Sequence, residues 1–339
     1  MALYQQLLLG LSYKKQVDLV TPLTAAEMWT LAATAVDLKA TPVNEDNAQD
    51  LGKGVYATKT FKSHMQAGGN WAGRLTSEAA AMLACFGVGA RVKVGTTATG
   101  GFKYTATIPD LTVTGLNMPT ATGVVQIGDV SDKAIIGLAC EEFGLSFKSG
   151  PGRDNATFTS NWVGTGQYAK PSGITLPAAY GEHSLNAGSL TTLALVGFDY
   201  IANDRFVDAD FSWKNNMRNG FFPGSGAQNG YQIWGRMRRG VPTITLKTTV
   251  ECASGSSEED ALLANTEGTG LITIAGDQIG AGPEKHQVKI SLARLAVKAS
   301  EIGNADGLAT YAVEYTVLQH ATNGVGYIEV ICEQDNVLG

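Results

Sequence analysis

The sequence predicts a mainly β protein of two tandem β-sandwich or barrel domains, each with a short flanking α-helix. Three observations predict it. Most segments rich in Thr, Val and Gly alternate apolar and polar residues with a period of two. Helical patterns are few and short. A strand, a helix and a bulged hairpin recur in the same order in the second half of the chain.

Length and composition set the frame. The chain has 339 residues, 44% of them hydrophobic and 17% charged, with 41 glycines. This is a folding composition, long enough for about two domains of ordinary size. Lys plus Arg number 25 against 31 Asp plus Glu, for a net charge of -6. No long basic run is present to neutralise phosphates, which argues against tight binding to DNA or to an anionic membrane. The most apolar stretches, 193–196 and 271–275, fall far short of the ~20 residues of a spanning helix. The opening residues lack a secretion-signal pattern, so a soluble chain made in the cytoplasm is expected. Cys85, Cys140, Cys252 and Cys332 are widely separated. That spacing fits buried free thiols better than disulfides or a metal site.

Taken in chain order, Thr24-Ala-Ala-Glu27 has capping-box spacing. With Met28, Trp29, Leu31 and Ala32 it predicts a short amphipathic helix. A second helix is expected over 77–85 and a third after Ser256. Strands are expected at 56–62, 206–213, 241–250 and 311–317 from alternation.

The segment 133–163 is the most informative. Ile136, Leu138 and Cys140 share one parity, whereas Phe143, Leu145 and Phe147 share the other. The slip falls at Glu141-Glu142, as when a β-bulge inserts one residue and keeps the apolar side chains on one face. A turn at Gly150-Pro-Gly-Arg-Asp leads to Phe158, Ser160 and Trp162. The arrangement recurs 152 residues later, with Val288, Ile290 and Leu292, a slip at Ala293-Arg294, then Leu295 and Val297. Tyr311, Val313 and Tyr315 stand where Phe158, Ser160 and Trp162 stood. Segment 56–62 resembles 206–212, and the eight residues from Ser77 match those from Ser257 at five positions. Two copies of one β-domain are therefore expected, 1–185 and 186–339.

Catalytic patterns are missing. No H-E-x-x-H, Walker or G-x-S-x-G motif occurs, and His64, His183, His286 and His320 lack metal-ligand spacing. Ser12-Tyr-Lys-Lys15 fits S-x-x-K without its companion motifs. Glu141-Glu142 reads as the bulge rather than a carboxylate pair. Asn155-Ala-Thr157 is a glycosylation sequon that stays silent without secretion. Neither an enzyme nor a cofactor is expected. Two segments suit contact between subunits instead. Arg236, Arg238 and Arg239, set between Gly235 and Gly240, form a basic cluster for a solvated turn or for acids on a neighbouring subunit. The loop 219–231 carries Phe221, Phe222 and Tyr231, which either fold back on their own domain or anchor a partner.

Read in order, Asn44-Glu-Asp46, Gly52-Lys-Gly54, Gly69-Asn-Trp-Ala-Gly-Arg-Leu-Thr-Ser-Glu78, Phe86-Gly87, the bulged segment 133–164 and Phe206-Val-Asp-Ala-Asp-Phe-Ser-Trp-Lys-Asn-Asn-Met217 resemble the phage major tail tube proteins of long-tailed phages. The loop 217–231 and the Gly-rich 95–101 have no counterpart in that pattern.

The resemblance implies a structural virion protein in the phage tail, made in the host cytoplasm. Its rings would stack into a hollow tube that conducts DNA during ejection. Such tubes usually have sixfold symmetry, so two domains per chain imply a trimeric ring with pseudo-sixfold symmetry, six chains being the alternative. Implied partners are other copies of the chain, the tail terminator, tail-tip or baseplate proteins, the tape measure protein and then DNA without sequence-specific contact; no membrane is implied. At -6 per chain, a ring of three carries -18 and repels phosphate wherever its acids line the bore. Strand parity nominates Glu142, Asp208 and Asp210 for that lining. The helices are expected outside the ring, with arms at 1–16 and 319–339 bridging rings. A capsid-decoration or baseplate protein, or a glycan-binding β-protein, is the alternative.

Overall fold

The computed structural model describes residues 7–19, 21–30, 34–46, 59–89, 91–96, 101–108, 117–127, 131–150, 156–170, 174–177, 183, 185, 190–220, 227–253, 258–305, 307–322, 324–335 and 337–338. They form a mainly β structure, an open and almost wholly antiparallel sheet of 21 strands with a separate two-stranded ribbon. Residues 156–164 and 326–332 show why: burial returns at every second residue, as one-sided strands require.

Before residue 186 the chain forms β1 (Leu7–Ser12), β2 (Met28–Thr30), β3 (Ala35–Val36), β4 (Lys39–Asp46), β5 (Thr60–Arg74) and helix α1 (Ser77–Val88). There follow β6 (Val92–Thr96), β7 (Gly101–Thr107), β8 (Ala121–Ile127), β9 (Ser131–Lys148), β10 (Ala156–Gly164) and β11 (Tyr168–Ala169). The remainder opens with β12 (Leu190–Leu195), β13 (Phe198–Asp199) and β14 (Phe206–Lys214). Four short strands come next: β15 (Arg218–Gly220), β16 (Ala227–Gln228), β17 (Tyr231–Gln232) and β18 (Arg236–Arg238). The chain then forms β19 (Thr243–Glu251), helix α2 (Glu258–Leu263), β20 (Glu267–Gln278), β21 (Lys285–Ala305), β22 (Leu308–Val317) and β23 (Gly326–Cys332).

Neighbouring strands succeed one another in the same order twice. Before residue 186 the sequence across the sheet is β5, β10, β9, β8, β1, β2. After it the order is β19, β22, β21, β20, β12, β13. β5 and β19 each lead into a helix, and β9 and β21 are the long strands. β14 joins the two runs, pairing with β19 along one edge and with Glu142–Lys148 of β9 along the other.

Both expected register slips are present. Across β10, Asn161 faces Glu142 and Trp162 faces Cys140, so Glu141 is the extra residue. Across β20, Gly270 faces Leu292 and Gly268 faces Leu295, which leaves Ala293 and Arg294 opposite Thr269. β21 carries a further slip across β22, where Val297 faces Tyr315 and Ala299 faces Glu314, so Lys298 is extra there. Core-facing side chains change parity at both places, from Leu138 and Cys140 to Phe143 and Leu145, and from Ile290 and Leu292 to Leu295 and Val297.

Three expectations are corrected. The helix over 24–32 is a single 3-10 turn, Ala25–Glu27, in which the Glu27 carboxylate accepts from the Thr24 N–H at 3.1 Å. It stops because Met28, Trp29 and Thr30 are buried as a strand against Ser12, Leu11 and Gly10, a tertiary pairing that outweighs the local helical pattern. Leu31 and Ala32 lie outside the described residues. The match of 56–62 with 206–212 does not follow the pairing either: 56–58 lie outside the described residues, and the strand placed like β5 is β19, not β14. Likewise Phe158 faces Leu145 while Tyr315 faces Val297, so the counterpart of Phe158 is Tyr315 rather than Tyr311.

Helix α1 fills the expected site and runs three residues further. Thr76 Oγ1 accepts from the Ala79 N–H at 3.1 Å, and Gly89, at φ 78°, ends the helix by donating to Cys85 O at 2.9 Å. Every residue of the helix is buried, against β7, β9, β21 and β23. Ala79, Ala80, Ala81 and Ala84 are small enough to permit this enclosure. Helix α1 thus lies inside its own chain. The short α2 buries only Glu258 and Ala261. The arms are also integrated where they are described: β1 and β23 are sheet strands, Gln16 accepts from the Gly137 N–H at 2.7 Å, and Val337 is buried.

Candidate functional site

The pairing of β14 with β9 gathers the three nominated acids on one sheet face. Phe211 and Trp213 point to the core with Leu145 and Phe143, so the alternate residues Asp208, Asp210, Glu142 and Lys148 point away from it. Lysines interleave with these acids. Lys214 Nζ lies 3.6 Å from Glu142, Asp208 faces Lys148, and Asp210 faces Lys247. One strand further, Lys247 and Lys298 both reach Glu314, at 3.6 and 2.6 Å, and hold its carboxyl below the usual range. Thr157, Thr159 and Thr245 continue the face from β10 and β19. The expected excess of acid is therefore balanced locally by lysine, and the face is polar and of mixed charge.

The basic cluster divides. Arg239 is only 3% exposed and lies within its own chain, donating from Nη2 to Val88 O at 2.5 Å and Gly87 O at 3.4 Å. It completes the C-terminal end of α1, and burial lowers its pKa to about 10. Arg238 is exposed on β18, whose Met237 is buried. The backbone of Arg236 pairs with Gly220, while its side chain lies outside the described residues, as do Phe221 and Phe222. Tyr231 folds back on its own chain: its hydroxyl donates to Asn44 Oδ1 at 2.9 Å and its ring lies under Lys62 Nζ at 5.3 Å.

Sequence reasoning missed the role of Asn215. This fully buried side chain donates to Gly87 O at 2.8 Å and Cys140 O at 2.9 Å, and accepts from Trp213 Nε1 at 2.9 Å. Its N–H donates to Glu141 O at 2.7 Å, so it satisfies both the bulge and the helix end. The paired asparagines of the family-like motif were its one sequence signal. Asn216 adopts φ 47° beside it and donates to Val241 O and Thr243 Oγ1.

A second polar cluster was not foreseen. Ser77 Oγ lies 2.7 Å from His286 Nδ1, and Glu78 Oε1 lies 3.7 Å from the same nitrogen. Ser77 and His286 are fully buried, so no substrate reaches a nucleophile there. His183, His286 and the half-exposed Glu333 also approach one another. The two imidazoles stack at 4.2 Å with 15° between their planes, which sets their nitrogens side by side rather than converging on one ion. Burial lowers the His286 pKa and raises that of Glu78.

The chain matches no protein-family model and no curated protein.

Proposed function

We propose that this chain is a phage tail tube subunit, assembling with its own copies into rings that stack into a hollow, DNA-conducting tube. The observation that carries the reading is one lateral row of the sheet. It runs Val297, Tyr315, Leu246, Phe211, Leu145, Phe158, Gly73 across six strand-to-strand pairings. The row repeats a long strand, its hairpin partner and a strand leading into a helix, so two like units stand side by side in one sheet. We take these units as the two tandem domains, 1–185 and 186–339. Three chains then supply six units to a ring.

The mixed-charge face suits passage of DNA: lysines paired with carboxylates offer phosphates little net attraction. The tail terminator, the tail tip and the tape measure protein complete the proposed partners, and the assembled virion tail is the proposed location. Electron microscopy of the concentrated protein with rotational averaging tests the reading. Hollow tubes with threefold mass modulation are expected. Sixfold rings without that modulation would overturn the trimer, and a chain that stays dispersed when nucleated with tail-tip extract would overturn the tube.

A further inference from the structure

A cavity of about 1080 Å³ lies beside the C-terminal end of α1, bounded by segments 15–19 and 117–120 and by β18. Its walls are fixed from several directions. The Gln16 N–H donates to Thr120 O at 2.7 Å, its Nε2 donates to Thr21 O at 2.8 Å, and its Oε1 accepts from the Gly137 N–H at 2.7 Å. The Met118 N–H donates to Met237 O at 3.3 Å, and Asn117 forms a β-bridge with Arg238. A concave site held in this way is formed before any ligand arrives.

Its charge is one-sided. Lys15, Arg91 and Arg238 line the cavity, and the acid beside them is Asp18, whose carboxylate accepts from the Thr21 N–H at 2.6 Å and from Thr21 Oγ1 at 3.0 Å. Elsewhere Lys14, Arg205, Lys214 and Arg294 each meet a carboxylate. Among the described residues these three cations meet none. Arg91 Nη1 is shut off from solvent without a hydrogen-bond partner. Across the ribbon of β15 and β18, Arg218 stands directly opposite Arg238, both exposed, and like charges so placed repel. A buried unpaired donor and a like-charge pair each cost free energy that a bound anion would recover. The carbonyl oxygens of Gly87 and Val88 at the helix end, which would repel an anion, are taken up by Arg239 Nη2.

We infer that this cavity binds a small polyvalent phosphate of the triphosphate class, held by Lys15, Arg91 and Arg238. The guanidinium forks of the two arginines match phosphate oxygens, and the lysine adds a point charge. A triphosphate concentrates several charges in one small molecule, whereas peptide carboxylates are spread one to a residue. Ligand pockets commonly span about 300–1,000 Å³, so this one admits a nucleotide as well as a bare phosphate chain. Leu19, Met118 and Met237 give it an apolar wall, and thioethers suit contact with an aromatic base. The cavity shares no lining residue with the mixed-charge face around β14, and its binding is independent of the assembly proposed above.

Isothermal titration of the full chain at low salt tests the site, with sodium tripolyphosphate, ATP and a tetraglutamate peptide as probes. Tripolyphosphate is expected to bind, to raise Tm, and to lose affinity as salt is added. Tighter binding of ATP would identify a nucleotide as the ligand and equal binding the phosphate chain alone; either sustains the site. Lys15→Gln and Arg238→Gln, both at exposed positions, are each expected to weaken binding about tenfold or more. Lys285→Gln removes an equal charge from an exposed position outside the cavity and is expected to leave binding unchanged. Absence of binding, affinity unmoved by Lys15→Gln and Arg238→Gln, or an equal loss in Lys285→Gln would overturn the site. Tetraglutamate binding as tightly as tripolyphosphate would overturn its phosphate class.

Discussion

Asn215 shows how much one side chain can hold in this fold. It serves two carbonyls and one indole N–H in a site closed to water, joining the end of β14, the bulge of β9 and the end of α1. Asn215→Ala removes the partner of Trp213 Nε1 and the donor to Cys140 O, while Gly87 O keeps Arg239 Nη2 at 3.4 Å. At about 1–3 kcal/mol each for such losses, the substitution is expected to cost at least about 2 kcal/mol in urea unfolding. Asn215→Asp does not restore it, because a carboxylate cannot donate to Gly87 and Cys140. The Glu78–His286 pair gives a prediction about pH. Burial raises the Glu78 pKa above its ordinary 4.5, so folding favours the protonated acid. That contribution is full below 4.5 and is lost as pH rises through the folded value. Burial lowers the His286 pKa below 6.5, so its contribution is full above 6.5 and is lost as pH falls through the folded value. Glu78→Gln should therefore raise Tm on the alkaline side, with the gain shrinking as pH approaches 4.5. A Tm difference that stays level across this range would remove Glu78 as its source.

At the scale of elements, local chemistry was legible and pairing was not. Helix α1 shows in its Ser-Glu start, although it runs to Val88 rather than to the expected Cys85, and both bulges show as parity slips. Thr76→Ala is expected to cost about 0.5–2 kcal/mol through the lost cap to Ala79. Gly89→Ala is expected to cost about 1–2 kcal/mol for placing a Cβ at φ 78°. Chemical denaturation checks both, and no change in the midpoint for Thr76→Ala would show that tertiary enclosure alone sets the helix end. The failed helix at 24–32 teaches the complement: Thr24 and Glu27 form their local contact, but Met28 and Trp29 go to β1, whose location no local pattern reveals. For the same reason the sequence could match Phe158 with Tyr311 on spacing alone, whereas the ladders make Tyr315 its counterpart. The nominated acids lie on one face because strand parity is local. Their neutralising lysines, Lys214, Lys148 and Lys247, come from β14, β9 and β19, which only the assembled sheet brings together.

For the whole molecule, the junction of β14 with β9 decides whether two halves behave as one body. Residues 1–185 alone would leave the β9 edge from Glu142 to Lys148 bare, and with it the core-facing Phe143 and Leu145 that Trp213 and Phe211 cover. An uncovered edge of that length beside apolar side chains is a template for association. Residues 186–339 alone would leave the β14 edge bare and also strip β23 of β7, which it pairs with over six residues. Each half expressed by itself is therefore expected to self-associate. The two expressed together are expected to co-purify as a one-to-one complex, because each supplies the strand the other lacks. Size-exclusion chromatography with light scattering measures both outcomes. Two monodisperse monomeric halves that ignore each other when mixed would mean that the junction adds little.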